Sequence, residues 1–293
     1  MQALREIQES VRDVTETVGR AVVGIGDRWA IGSGVVFEAG KVVTNAHNIR
    51  ASEVAVSFHD GRSAVGRVTG TDIEGDVAVV EVDTADIEPV AWADDQRPGV
   101  GTPVFALSNP GGRGLRVTFG LVSGTDRSFR GPRGHRISGS LEHTAPLLPG
   151  SSGGPVVDLD HRLIGINTNR LGEGFYLAIP ADDTLRSRIG ALGRGDTPRR
   201  PRLGVGIAPA EVARRLRRAV GLDEVDGLLV REVEEGSPAA AAGLEQGDLI
   251  VEAGGRATGS FDDLHDALRA AEGSVELKLM RGAEVRTVTV TLA

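Results

Sequence analysis

The sequence predicts a mostly β chain in two parts, a long strand-rich domain followed by a smaller α+β domain. Three observations carry that prediction. From Ala21 to about Gly120 the apolar residues fall in short Val-rich runs, and the 41 glycines of the chain suit many short strands and turns. A Gly/Arg/Pro-rich stretch, Gly190 to Arg202, then interrupts the pattern and reads as a linker. Beyond it helical and strand patterns alternate, and 293 residues is a length that suits two domains. Aromatic residues make up only 3% of the chain, so its cores must be built from Val, Leu, Ile and Ala.

Taken in order, the first element is a helix. Leu4, Ile7, Val11, Val14 and Val18 recur at helical spacing and form one apolar stripe among charged neighbours. Short strands follow at Ala21–Ile25 and Ala30–Phe37, separated only by Gly26-Asp27-Arg28-Trp29. Val42–Ala46 reads as a strand that ends at His47, and Glu53–Phe58 and Ala64–Thr71 continue the sheet. His47 is a candidate general base, because imidazole can accept a proton near neutral pH. Asp72 and Asp76 compete to orient it. Asp76 directly precedes the apolar run Val77-Ala78-Val79-Val80, which would bury the backbone and shield the carboxylate; Asp72 fits a turn.

Pro98–Thr102 reads as a connection, followed by strands at Val104–Ser108 and Leu115–Val122 around an Asn109-Pro110-Gly111-Gly112 turn. The arginine-rich stretch Arg127–Arg136, broken by Gly131, Pro132 and Gly134, reads as a loop. Then comes Pro149-Gly150-Ser151-Ser152-Gly153-Gly154-Pro155. A serine hydroxyl is a poor nucleophile without a base to take its proton and donors to receive the oxyanion. Glycines around a serine let backbone amides face a reacting carbonyl and let substrate approach. Leu163–Thr168 and Phe175–Ile179 read as strands. In the second domain, Pro209–Val220 is helical by period and Gly227–Val230 is a strand. Ser260 with Asp263 marks a helix start, and Glu276–Arg281 with Glu284–Leu292 closes as a hairpin.

Several function classes are disfavoured. A net charge of −8 argues against nucleic-acid binding. With no cysteine there are no disulfides or thiolate metal sites. No run of 18 apolar residues spans a membrane, and the amino terminus lacks the apolar core of a signal peptide. Gly24-Ile25-Gly26 precedes a strand, and Gly34 to Lys41 misses the phosphate-loop spacing, so neither supports nucleotide binding. Gly150-x-Ser152-x-Gly154 matches the hydrolase elbow literally, but Pro155 leads into an apolar strand where that motif needs a helix.

The order His47, Asp76, Ser152 is that of chymotrypsin-like proteases. With Gly32-Ser33-Gly34, Thr44-Asn45-Ala46-His47, Asp76-Val77-Ala78-Val79 and Gly150 to Pro155, the chain resembles the HtrA (DegP/DegS-like) family. Leu203-Gly204-Val205-Gly206 and Gly243-Leu244-Glu245-Gln246-Gly247-Asp248 resemble a PDZ domain, so the likeness covers nearly the whole chain. The resemblance implies a chymotrypsin-like double β-barrel followed by an α+β PDZ domain. The expected segments are 1–20 for oligomer contacts, 21–192 for the protease, 193–202 as linker and 203–293 as PDZ domain.

Register against Gly153-Gly154-Pro155 makes Ser152 the nucleophile and Ser151 a neighbour. The implied roles are His47 as base, Asp76 as its orienting acid, and the amides of Gly150 and Ser152 as oxyanion donors. Leu177, Ala178 and Ile179 are expected to wall the pocket for a small or medium aliphatic residue. Leu203, Gly204, Val205 and Gly206 are expected to capture peptide carboxyl termini. The implied activity is ATP-independent endopeptidase cleavage of unfolded or regulatory proteins by a homotrimer, with no metal or cofactor. A silent PDZ scaffold and a chaperone-like holdase are the alternatives. The chain departs from the family at His143 and Thr144, where Thr-Asp is usual, and at Ser151, where Asn is usual. On the sequence alone the compartment is expected to be cytoplasmic, or periplasmic or extracellular if a targeting segment is missing.

Overall fold

The computed structural model describes residues 2–26, 31–94, 98–130, 136–170, 172, 174–196, 202–271 and 273–292. The chain divides into two compact units, Met1–Pro198 and Arg199–Ala293.

The first unit opens with α1 (Gln2–Thr17). The carboxy-terminal half of its stripe packs on the core, with Val14 and Val18 buried and Val11 partly so, while Ile7 is exposed. Six strands then close a barrel: β1 (Val22–Ile25), β2 (Gly32–Glu38), β3 (Lys41–Thr44), β4 (Glu53–Ser57), β5 (Ser63–Asp72) and β6 (Val77–Glu81). Their order is β1-β2-β3-β6-β5-β4. A second closed barrel holds β7 (Pro103–Ser108), β8 (Arg116–Arg130), β9 (Arg136–His143), β10 (Pro155–Val157), β11 (Leu163–Arg170) and β12 (Tyr176–Pro180), in the order β10-β11-β12-β9-β8-β7. Closure leaves no unpaired sheet edge in either barrel. Val22, Val35, Val43, Val79 and Val80 are fully buried, so the aromatic-poor core is packed with β-branched residues that suit a pleated surface.

The structure corrects two element readings. Arg127–Arg130 belongs to β8 rather than to a loop, because Phe129 alternates inward, pairs with Ile137 and buries beside Leu177. The centre of that arginine-rich stretch, 131–135, lies outside the described residues. The linker also begins later than expected. α2 (Asp183–Gly193), capped by the Asp182 side chain on the Leu185 amide, carries the chain through Gly193. Leu192 is fully buried against Gly70, where a Cβ would stand 2.7 Å from the Leu192 carbonyl oxygen. Residues 27–30 of the first turn and 197–201 of the linker also lie outside the described residues.

The second unit holds β13 (Val205–Ala208), α3 (Ala210–Ala219), β14 (Leu228–Val233), α4 (Pro238–Ala241), β15 (Leu249–Ala253), β16 (Arg256–Ala257), α5 (Phe261–Ala270), β17 (Ser274–Arg281) and β18 (Glu284–Thr291). Its sheet runs β13-β14-β15-β17-β18, with β16 paired to β15. Ser260 and Asp263 form a complete capping box at the start of α5. Asp248, 1% exposed at its side chain, is held by the Arg281 guanidinium at 2.7 and 2.9 Å and by the Glu245 amide. No helix among the described residues is long and apolar enough to cross a membrane.

Candidate active site

Between β3 and β4 the chain passes through a short 3-10 turn, Ala46–Asn48, so His47 sits on a turn just beyond the strand. Its imidazole is one-quarter exposed and its Nδ1 lies 2.9 Å from both Oδ1 and Oδ2 of Asp76. The carboxylate is 2% exposed and has three donors: the His47 ring, the His47 amide at 3.1 Å and the Thr168 hydroxyl at 2.6 Å. A buried carboxylate needs such partners to remain charged. Because Asp76 can only accept while charged, the ring hydrogen sits on Nδ1 and Nε2 is bare.

Asp76 adopts a left-handed backbone, φ +53°, which the turn before it imposes. Asp72 builds that turn by accepting from the amides of Glu74 and Gly75, and its carboxylate pairs with Arg188 at 3.3 Å. The Asn45 amide donates to the Asp76 carbonyl at 2.9 Å, fixing the acid to the turn that bears His47.

Ser152 lies in the loop before β10. Its carbonyl accepts from the Ser33 amide at 2.8 Å and from Asn48 Nδ2 at 3.0 Å. The Ser33 hydroxyl donates to the Gly150 carbonyl at 2.8 Å. Gly153 is at φ +91°, and a Cβ there would stand 2.0 Å from the Ser33 carbonyl oxygen, so only glycine fits. The Ser152 hydroxyl donates to the Thr168 carbonyl at 2.9 Å, and the Thr168 hydroxyl donates to Asp76. One residue of β11 thus joins the serine to the acid. Ser151, by contrast, is 2% exposed and bonded to the Ser108 hydroxyl at 3.1 Å. Among the described residues, neither the Gly150 amide nor the Ser152 amide has a hydrogen-bond acceptor.

A cavity of about 250 Å³ opens beside Ser152, lined by Leu147, Leu148, Pro149, Asn169, Arg170 and Tyr176 among others, with no carboxylate among the described residues. The expected walls Leu177, Ala178 and Ile179 do not line it. All three are buried in cores, Leu177 with Phe129 and Ile137, Ala178 with Leu141 and Val156, and Ile179 in the main cluster of the unit. β12 meets the cavity one residue earlier, at Tyr176. Under the loop lies His143, 1% exposed, with Nε2 3.0 Å from Asn167 Oδ1 and its pKa pushed down to about 4 by burial. Thr144, where the family has an acid, accepts from the Leu121 amide at 3.0 Å.

In the second unit, Gly204 is at φ +76°, and a Cβ would meet Ser237 at 2.3 Å. Leu203 is buried in the core, and its carbonyl accepts from the Ala239 amide. Val205 and Gly206 begin β13, which among the described residues pairs only with β14, leaving its other side as a strand edge. Among the described residues no cluster of His, Asp or Glu could hold a metal ion.

Sequence reasoning assigned no role to Thr168, Ser33, Asn48, Asn167 or Tyr176. Ser33 lay within a quoted motif, and the others carry no local signal.

Comparison with known proteins agrees with this architecture. Residues 32–166 match the trypsin-like peptidase domain and residues 229–281 match the PDZ domain. The probable periplasmic serine endoprotease DegP-like of Halomonas elongata is 36% identical over 281 residues, 91% of this chain and 57% of the relative. The periplasmic pH-dependent serine endoprotease DegQ of Escherichia coli is 32% identical over 89% of this chain and 59% of its own length. The chain thus spans under three fifths of the length of these two relatives. Among solved structures, the serine endoprotease from Yersinia pestis is 26% identical with a TM-score of 0.68, covering 97% of each chain. The HtrA-type protease AlgW with tripeptide is 27% identical with a TM-score of 0.63, covering 97% of this chain and 96% of its own. With its paired barrels, its His47–Asp76 contact and its PDZ unit, the chain belongs to the HtrA family.

Proposed function

We propose that this chain is an ATP-independent serine endopeptidase acting on polypeptides. The observation that carries the reading is the bonding around Asp76, which binds His47 Nδ1 on one side and, through Thr168, reaches the Ser152 hydroxyl on the other. Ser152 Oγ turns from the Thr168 carbonyl towards His47 Nε2 and attacks the scissile carbonyl carbon. Its proton passes to Nε2, and the carbonyl oxygen becomes an oxyanion held by the Gly150 and Ser152 amides. His47 returns the proton to the leaving amine as the C–N bond breaks. Water, deprotonated by the same ring, then releases the acyl group. Asp76 holds the tautomer and stabilises the imidazolium. We read the cavity beside Ser152 as taking a small or medium aliphatic side chain against Leu147, Leu148, Pro149 and Tyr176, the apolar part of a lining that also holds Asn169 and Arg170.

The free edge of β13, beginning at the Leu203–Gly206 turn, suits a peptide carboxyl terminus added as a further strand. We read such peptides as regulators, the chain as a homotrimer, and unfolded or regulatory proteins as substrates. The segments 1–20, 21–192, 193–202 and 203–293 are the working division. For the compartment, the names of the relatives favour the periplasmic alternative over the cytoplasmic one, and cell fractionation decides between them.

Fluorophosphonate labelling of the purified chain, with the modified residue located by mass spectrometry, tests the nucleophile. Modification at Ser152 that is absent in Ser152→Ala supports the reading. Silence that persists after addition of carboxy-terminal peptides refutes it in favour of the scaffold. Sedimentation as a monomer refutes the trimer.

A further inference from the structure

Among the buried titratable groups that the catalytic scheme leaves unused, His143 lies beside the nucleophile loop. His143 ends β9, in register with Val122 of β8 and Tyr176 of β12. Its Nε2 meets Asn167 Oδ1 at 3.0 Å, while its Nδ1 is buried with no hydrogen-bond partner among the described residues.

Asn167 is wrapped around the nucleophile loop. Its backbone amide donates to the Gly154 carbonyl at 2.9 Å and its carbonyl accepts from the Gly153 amide at 2.7 Å. Its Nδ2 donates to the carbonyls of Gly154 and Pro155 at 3.1 and 3.4 Å. Carbonyls only accept, so the side-chain NH₂ must face them and Oδ1 must face the imidazole. An amide oxygen also only accepts, which puts the ring hydrogen on Nε2 and leaves Nδ1 bare. Burial favours the same neutral ring. On its face the imidazole stacks on Tyr176, with centroids 5.9 Å apart and planes 29° from parallel, and Tyr176 lines the cavity beside Ser152.

We propose that His143 is a positioning residue for the Ser152 reaction: its Nε2–H locks the Asn167 side chain that clamps the Gly153–Pro155 backbone, and its ring backs Tyr176 in the pocket wall. The proposal rests on Ser152 being the nucleophile. His143 touches no reacting atom. It sets where the nucleophile loop sits, and a displacement of about 1 Å in such a loop costs ~10²-fold in rate. The residue stands where the family resemblance expects threonine.

The test compares the full chain with His143→Leu, which keeps the bulk and removes the donor, and His143→Gln, whose side-chain NH₂ can reach Asn167 Oδ1. The readouts are the rate of fluorophosphonate labelling at Ser152, kcat and KM on one peptide, and a melting curve. Leucine is expected to slow labelling and kcat by ~10- to 100-fold in a folded protein, and glutamine to recover most of the loss. Wild-type rates in the leucine variant, or glutamine as slow as leucine, overturn the proposal. A second measurement is independent of catalysis and of variant folding. ¹⁵N imidazole spectra of the wild type are expected to show His143 neutral and protonated on Nε2 from pH 7 to pH 5. A ring protonated on Nδ1, or charged at pH 5, overturns the proposal. Wild-type protein that shows the expected ring but does not label at Ser152 refutes the nucleophile instead.

Discussion

Acid weakens the first unit through His143. The ring meets Asn167 on one side and Tyr176 on the other, and burial drives its pKa from 6.5 to about 4. The unfolded chain therefore takes up a proton that the folded chain refuses between those two values. Stability rises with pH wherever the unfolded state binds more protons. His143 thus costs the fold nothing above pH 6.5, and the penalty grows as pH falls from there to about 4. A difference of that size corresponds to roughly 3 kcal/mol, at 1.36 kcal/mol for each pH unit. Trp92 packs against the main core of the first unit, so its fluorescence follows that unit's unfolding. Urea unfolding is measured at pH 7 and pH 4.5 for the wild type and His143→Gln, which cannot titrate. Other acid-sensitive groups are common to both proteins and cancel in the difference. The variant is expected to lose roughly 2–3 kcal/mol less than the wild type between the two pH values. Identical losses would refute a buried, neutral His143.

Three further outcomes follow from the bonding described above. Thr168→Val removes the hydroxyl from Asp76 at nearly constant volume. It is expected to lower kcat by ~10- to 100-fold with little change in KM, the usual worth of a hydrogen bond to a charged group, and an unchanged kcat counts against the role of Thr168. Gly153→Ala forces a Cβ to within 2.0 Å of the Ser33 carbonyl oxygen, so Ser152 labelling is expected to fall by ~10²-fold or more; retained labelling means that the loop is not built as described. Arg281→Met leaves Asp248 buried without its guanidinium, so hydrogen exchange is expected to accelerate across the second unit and not the first. Unchanged exchange there shows that Asp248 does not depend on the pair.

How far the sequence could be read depended on how local each signal was. The first barrel was legible because Val-rich runs bounded by glycine have few other folds, and His47, Asp76 and Ser152 were legible because each sits in a short motif of its own. Thr168 was not, because its role lies in bonds to Ser152 and to Asp76, 92 positions away. The Leu177-Ala178-Ile179 run gave no phase: all three residues are buried, so apolarity could not say which strand position meets the cavity, and Tyr176 was passed over. At Arg127–Arg130 the charges drew attention from the period-2 alternation that buries Phe129.

The carbonyl of Ser152 belongs to a loop of the second barrel, yet its two donors, Ser33 and Asn48, come from the first. The backbone of the proposed nucleophile is therefore fixed by the docking of the two barrels. A nascent chain that has completed one barrel carries a serine with no fixed backbone and a histidine with no target. Separating the two barrels would take both donors from the Ser152 carbonyl, so the backbone of the proposed nucleophile keeps its place only while the seam is closed.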